Sequence, residues 1–138
     1  MLDAGFGKLK KAISILDFRY LKFKISKCPL HGNSVFVRLN DSMLGVRCVV
    51  CGAAPIATSI ANVLIKYEPD FKNKKIYELS TRGAFFEFLN KNVENIVFSE
   101  FMDDVQPGDS KNGVLCQDVQ HLTFDGGEFD ICTSTEVF

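Results

Sequence analysis

Cys28-Pro29-Leu30-His31 and Cys48-Val49-Val50-Cys51 set four soft donors in two pairs, each with a two-residue gap, and a 16-residue insert separates the pairs. Such gaps let one tight turn aim both side chains at the same ion, and a tetrahedral cation such as Zn²⁺ takes four nitrogen or sulfur ligands. Gly32 and Gly52 directly follow the second ligand of each pair, where the chain must turn sharply and bring backbone amides near the sulfurs. A closed set of four ligands leaves no position for a substrate, so the zinc expected here is structural.

The elements that must position these donors are short. Val35, Val37 and Leu39 alternate, Asn40-Asp41-Ser42 forms a turn, and a second apolar stretch leads into Cys48. This predicts a β-hairpin flanked by two metal-binding turns, a zinc-ribbon-like element over residues 28–54. Before it, Phe6, Leu9, Ile13 and Leu16 fall at helical spacing with Lys8, Lys10 and Lys11 largely elsewhere on the turn, so an amphipathic helix is expected from about Ala4 to Arg19. Residues 1–27 read as that helix followed by a basic arm.

From Pro55 the pattern is helical again, with Ile56, Ile60, Val63, Leu64 and Tyr67 expected on one face and an end before Pro69. Strands are then expected at Lys75–Leu79, Asn95–Ser99, Gly113–Cys116 and Phe129–Thr133, with a Phe-rich helix at Ala84–Asn90 after the first. Short buried strands separated by crossovers argue for a parallel α/β sheet. Val105 to Ser110, with its Pro107-Gly108 pair, reads as linker-like.

Composition narrows the class. With 138 residues, 46% of them hydrophobic and 13 of them Phe, the chain has enough apolar material for a packed core. No apolar run reaches the roughly 20 residues that a membrane span needs, so no membrane partner is expected. Five Cys without a signal peptide argue for thiols or metal ligands and a cytoplasmic location. The formal net charge of -1 conceals an asymmetry: residues 1–27 carry +5, and residues 100–138 carry -8. A basic arm can mark nucleic-acid contact, but the acidic C-terminal part repels phosphates, and a nucleic-acid partner ranks last.

Four stretches of the second half share a resemblance. Tyr77-Glu78-Leu79-Ser80-Thr81-Arg82-Gly83 resembles the first motif of class I S-adenosylmethionine-dependent methyltransferases, with Glu78 at the acidic position and Gly83 as one glycine of the turn. Ser80 and Arg82 stand where the usual pattern has glycines. Glu100, ending the second strand, matches the acidic residue that accepts hydrogen bonds from the ribose hydroxyls, and Asp118 in Cys116-Gln117-Asp118 matches the residue that meets the adenine amino group. Leu122-Thr123-Phe124-Asp125-Gly126-Gly127-Glu128-Phe129-Asp130-Ile131-Cys132-Thr133-Ser134-Thr135-Glu136-Val137-Phe138 is similar to the fourth-strand region of type 11 methyltransferases.

The resemblance covers about residues 74 to 138 and implies that residues 55–138 are the N-terminal half of a methyltransferase-like α/β domain, a partial Rossmann-like sheet of strands 1 to 4 in the order 3-2-1-4. It implies S-adenosylmethionine as cofactor, an unknown methyl acceptor, and a site of Glu78, Ser80, Gly83, Glu100, Asp118 and Thr135 closed by Thr133 to Glu136. His121 is expected as an exposed loop residue, and Cys116 and Cys132 as core thiols. The family continues beyond Phe138, so strand 4 is expected as an open edge and homo-oligomer contact, with turnover wanting the further segments. Ser80 and Arg82 favour an alternative: a non-catalytic zinc-ribbon interaction module on a degenerate methyltransferase scaffold.

Overall fold

The structure, a computed structural model, describes residues 17–135. Most of the expected N-terminal helix, and the final Glu136 to Phe138, lie outside the described residues. The chain divides into two compact units, residues 1–59 and 60–138. The described residues form a mixed α/β arrangement of two sheets and two α-helices.

In the first unit Asp17 caps a 3-10 turn, Phe18–Tyr20, by accepting the Arg19 amide at 3.1 Å. The helix expected to reach Arg19 therefore does not extend that far as an α-helix. Its Asp17 amide instead bonds the Leu39 carbonyl at 2.7 Å. Three antiparallel strands follow: β1 (Lys22–Cys28), β2 (Gly32–Arg38) and β3 (Val46–Cys48). Strand β1 pairs with β2 along its whole length, from Lys22 opposite Arg38 to Cys28 opposite Gly32. The expected hairpin is thus the β2–β3 half of a three-stranded sheet, and the basic arm supplies the third strand.

Strand register decides which side chains share a face, because side chains alternate and paired residues point the same way. Cys28, Ser34, Phe36 and Cys48 fall on one face, and Phe23, Ile25, Val35 and Val37 on the other. Lys22, Lys24 and Lys27 lie on β1, an edge strand among the described residues, where charge discourages pairing with another chain. The β2–β3 loop is built on its own polar groups, with the Arg38 guanidinium donating to the carbonyls of Asn40 and Asp41 at 3.0 and 2.8 Å. A Cβ at Gly45 would displace the Asn40 side chain, whose Oδ1 accepts the Ser42 amide at 3.0 Å.

Helix α1 (Pro55–Tyr67) carries the boundary between the units. Its buried residues are Ala61 and Leu64, whereas Ile56, Val63 and Tyr67 are exposed. The expected apolar face is corrected accordingly: the buried positions are Ala61 and Leu64, three residues apart on the helix.

The second unit holds a five-stranded sheet in the order β6-β7-β5-β4-β8, formed by β4 (Lys75–Glu78), β5 (Asn95–Glu100), β6 (Ser110–Lys111), β7 (Val114–Cys116) and β8 (Ile131–Thr133). Strands β4, β5, β7 and β8 are mutually parallel, and β6 runs antiparallel to β7. Counted along the chain, the four parallel strands therefore stand in the order third, second, first, fourth. Helix α2 (Ala84–Asn92) crosses from β4 to β5 and buries Phe85, Phe86, Phe88 and Leu89.

Ile76 and Tyr77, at 0% and 1% exposure, point to opposite faces of the central strand. Tyr77 packs against Phe124 and Phe129 with ring centroids 4.7 and 5.2 Å away, and its hydroxyl pairs with Ser99 at 2.7 Å. These rings tie the long segment before β8 to the sheet. The segment expected as a linker is instead hydrogen-bonded to β7 while staying largely exposed: Gly108 N–H bonds the Cys116 carbonyl and Cys116 N–H the Asp109 carbonyl, both at 2.8 Å. Strand β8 pairs with β4 alone and forms an edge among the described residues.

Candidate metal centre and carboxylate crevice

The metal centre grows from two turns and one strand face. His31 N–H turns back to the Cys28 carbonyl at 3.4 Å, and Gly52 N–H to the Cys48 carbonyl at 2.9 Å. Gly32 and Gly52 hold φ of 102° and 71°, a left-handed backbone that glycine adopts without a steric penalty. Donor atoms of Cys28, His31, Cys48 and Cys51 all lie within 4.8 Å of one another. Zn–S bonds of about 2.3 Å put tetrahedral sulfurs roughly 3.8 Å apart. The Cys28 and Cys51 sulfurs are 3.9 Å apart and His31 Nε2 is 3.0 Å from the Cys48 sulfur, so the donor set fits a small soft cation, and zinc is consistent with it.

The thiols are not equivalent. Burial pushes the Cys48 thiol up, but the amides of Cys51 and Val50, the Ser34 hydroxyl and the His31 ring outweigh it and bring the pKa down to about 6. Burial pushes Cys51 up to about 12, against the Ala53 amide and with the neighbouring thiols Cys48 and Cys28 adding to the rise. Three sulfurs this close cannot all be ionised without a cation among them. Ser34, whose hydroxyl lies 3.1 Å from the Cys48 sulfur, is a participant that spacing alone does not reveal. Its place follows from the β1–β2–β3 register.

In the second unit the carboxyl ends of the parallel strands line up. Glu78 pairs in register with Phe98 and with Thr133, and Glu100 with Cys116. Glu78 is completely buried, and burial raises its pKa against the hydrogen bonds it accepts. Those come from the Thr133 hydroxyl, the Thr135 hydroxyl at 3.1 Å and the Thr135 amide. Glu78 and Thr135, 57 residues apart, are thus brought together.

Glu100 meets the turn after β4 instead. Its Oε1 accepts the Thr81 hydroxyl at 2.6 Å and the Thr81 amide at 3.1 Å, and Arg82 Nε lies 3.4 Å away. Burial raises the Glu100 pKa, but the Thr81 donors and Arg82 together pull it below the ordinary value. Ser80 shapes the same turn: its hydroxyl lies 3.2 Å from both the amide and the carbonyl of Arg82. Gly83, with φ of 93°, caps α2, and neither Ser80 nor Arg82 has a positive φ. The backbone therefore demands glycine at only one of the positions where the resemblance has it.

Gln117 N–H bonds the Glu100 carbonyl at 3.1 Å, so Asp118 follows just past the end of the β5–β7 pair. Its carboxylate is engaged by its own turn, accepting the Gln120 amide at 2.9 Å and lying 4.0 Å from His121 Nδ1. His121 is exposed, as expected. The buried Gln117 side chain closes this loop by bonding both the hydroxyl and the amide of Thr123, at 2.6 and 3.0 Å. Cys116 is a core thiol, but Cys132 is exposed, because it lies on the edge strand β8.

Three adjacent strand ends thus carry the fully buried Glu78, the partly exposed Glu100 and Asp118, with threonine hydroxyls bonded to the first two. Carboxylates and hydroxyls of this kind recognise hydroxyl and amine donors on a small ligand. No helix among the described residues is long and apolar enough to cross a membrane. No family model, curated protein or solved structure matches the chain.

Proposed function

We propose that residues 55–138 form the cofactor-binding half of a class I S-adenosylmethionine-dependent methyltransferase, joined to a structural zinc ribbon. The observation that carries this reading is the set of acids at the carboxyl ends of β4, β5 and β7 in a parallel sheet of order third, second, first, fourth. Ligands of open α/β sheets bind outside the carboxyl ends of the strands, where the order reverses. Here that point lies between β4 and β8, the first and fourth parallel strands.

In this reading Glu100 accepts ribose hydroxyl donors, Asp118 faces the adenine edge, Glu78 with Thr135 borders the methionine part, and Gly83 opens the helix beside it. Bound there, the cofactor would supply an electrophilic methyl group for an acceptor of unknown identity. The residues present orient and enclose it; methyl transfer needs alignment and exclusion of water more than proton transfer. Cys28, His31, Cys48 and Cys51 would hold zinc and stabilise the first unit. The open edge of β8 is where a second copy would pair. Five cysteines without a disulfide between them suit the reducing cytoplasm.

Isothermal titration of S-adenosylmethionine and S-adenosylhomocysteine into the zinc-loaded chain tests this, with Glu100→Ala beside it. Binding by the wild-type chain that weakens about tenfold or more in the variant is expected, the size of a lost hydrogen bond to a charged group. A second reading, a non-catalytic interaction module, draws on the Thr81 and Arg82 contacts that already engage Glu100. It takes the lead when neither ligand binds.

A further inference from the structure

The Asp118–Leu122 loop, which leaves the end of β7 for the segment before β8, has no buried side chain of its own, and Val119, His121 and Leu122 are exposed. With no apolar burial to order it, its shape rests on hydrogen bonds. Two lie inside it, from the His121 amide to the Asp118 carbonyl and from the Gln120 amide to the Asp118 carboxylate, both at 2.9 Å. They make the turn without tying it to the sheet. Gln117, only 4% exposed, supplies the tie: Nε2 donates to the Thr123 hydroxyl at 2.6 Å, Oε1 accepts the Thr123 amide at 3.0 Å, and its own amide bonds the Glu100 carbonyl of β5 at 3.1 Å. One buried carboxamide thereby spans the mouth of the loop. The Thr123 amide can only donate, so the carboxamide faces one way. Gly108 lies close behind Thr123, since a Cβ there would sit 3.3 Å from the Thr123 hydroxyl oxygen.

We propose that Gln117 is a positioning residue: through its grip on Thr123 it holds the Asp118–Leu122 loop in place before a ligand arrives, and so sets how sharply the site reads the edge of a bound base. This rests on the cofactor reading above, in which Asp118, its side chain 34% exposed, faces that edge. An acceptor on an ordered loop binds without an ordering cost and cannot shift to suit a mismatched edge. An acceptor on a loose loop does both, and the correct and incorrect bases then bind more nearly alike.

The test is titration of S-adenosylhomocysteine and S-inosylhomocysteine, which carries a carbonyl oxygen where adenine has its amino group, into the zinc-loaded chain and its Gln117→Leu and Thr123→Ser variants. The wild type is expected to prefer the adenine ligand about tenfold or more. Gln117→Leu, close in volume, should cut that preference to about threefold or less and speed amide exchange at Gln120 and His121 about tenfold. Thr123→Ser keeps the hydroxyl and should preserve both the preference and the protection. A preference unchanged in Gln117→Leu, or affinities for both ligands that fall by the same factor, overturn the positioning role and leave the cofactor reading intact. Equal binding of the two ligands by the wild type does the same. Failure of the wild type to bind either ligand overturns the cofactor reading and the positioning role together.

Discussion

The metal centre and the carboxylate crevice bring distant residues together by opposite means. In the first unit, two turns of four residues each deliver a ligand pair, and one antiparallel pairing closes the 16-residue gap between them. In the second, Glu78 and Thr135 meet across 57 residues, and they do so because β8 enters the sheet beside β4 instead of beside β7, the strand before it in the chain. Local turn geometry can be written into spacing; sheet order cannot. The two sites should accordingly fail in different ways when their elements are disturbed.

The largest expected effect is on the metal side. Cys48→Ser, or chelation of the wild type, should abolish tight zinc binding and unravel the β1–β2–β3 sheet, since structural zinc contributes its binding energy directly to folding. Zinc content by elemental analysis and amide exchange in residues 22–48 would show it. If the crevice depends on its own sheet, amides of β4 and β5 should stay protected in the same experiment.

Next comes Thr133→Val, which removes one hydroxyl donor from a fully buried carboxylate. A destabilisation of about 1–3 kcal/mol is expected, visible as a fall in the denaturation midpoint of the second unit. Ser34→Ala should weaken zinc binding about tenfold, in the range usual for loss of a residue that hydrogen-bonds a ligand. Competition with a chromogenic chelator measures it, and Cys48→Ser should show no further loss when Ser34→Ala is added.

Glu78 provides a pH test confined to the crevice. Burial raises its folded pKa, so between the ordinary glutamate value and the folded value the native chain keeps a proton that the unfolded chain has lost. Stability from this group is therefore full at acid pH and declines as pH rises through that window. Glu78→Gln should remove the slope: its melting temperature should exceed that of the wild type at neutral pH, and the two should converge at acid pH. The smallest effect is expected for Gly113→Ala. Asn112 and Gly113, with φ of 54° and 78°, form the two-residue turn between β6 and β7, and a loss of about 1 kcal/mol is expected in thermal unfolding.

The same contrast explains what could be read in the sequence. The four metal ligands were legible because two-residue gaps and a following glycine are local signals. The β4–α2–β5 run was legible because Ile76 and Tyr77 in β4 and Phe85, Phe86, Phe88 and Leu89 in α2 make apolar blocks of the right length. Strand β1 escaped because its lysines alternate with Phe23 and Ile25, 67% and 84% exposed, which reads as an arm when no buried face is present.

Strand β6 escaped because it is two residues long, although Asn112-Gly113 is the hairpin signal beside it. Cys132 looks like a core thiol in sequence, and its exposure follows from the edge position of β8. Ser34 and Thr81 carry no motif at all. Their roles arise from register, which places Ser34 on the Cys48 face, and from parallel pairing, which carries the end of β5 to the turn after β4.

The most direct test of the cofactor-binding half is the position of ligand-induced shifts in amide NMR spectra of the zinc-loaded chain titrated with S-adenosylhomocysteine. Residues 79–83, 100–101, 117–118 and 133–135, at the carboxyl ends of the four parallel strands, should shift together while residues 22–48 stay unmoved. Shifts absent throughout, or gathered on the β1–β2–β3 sheet, would contradict a cofactor site in the crevice.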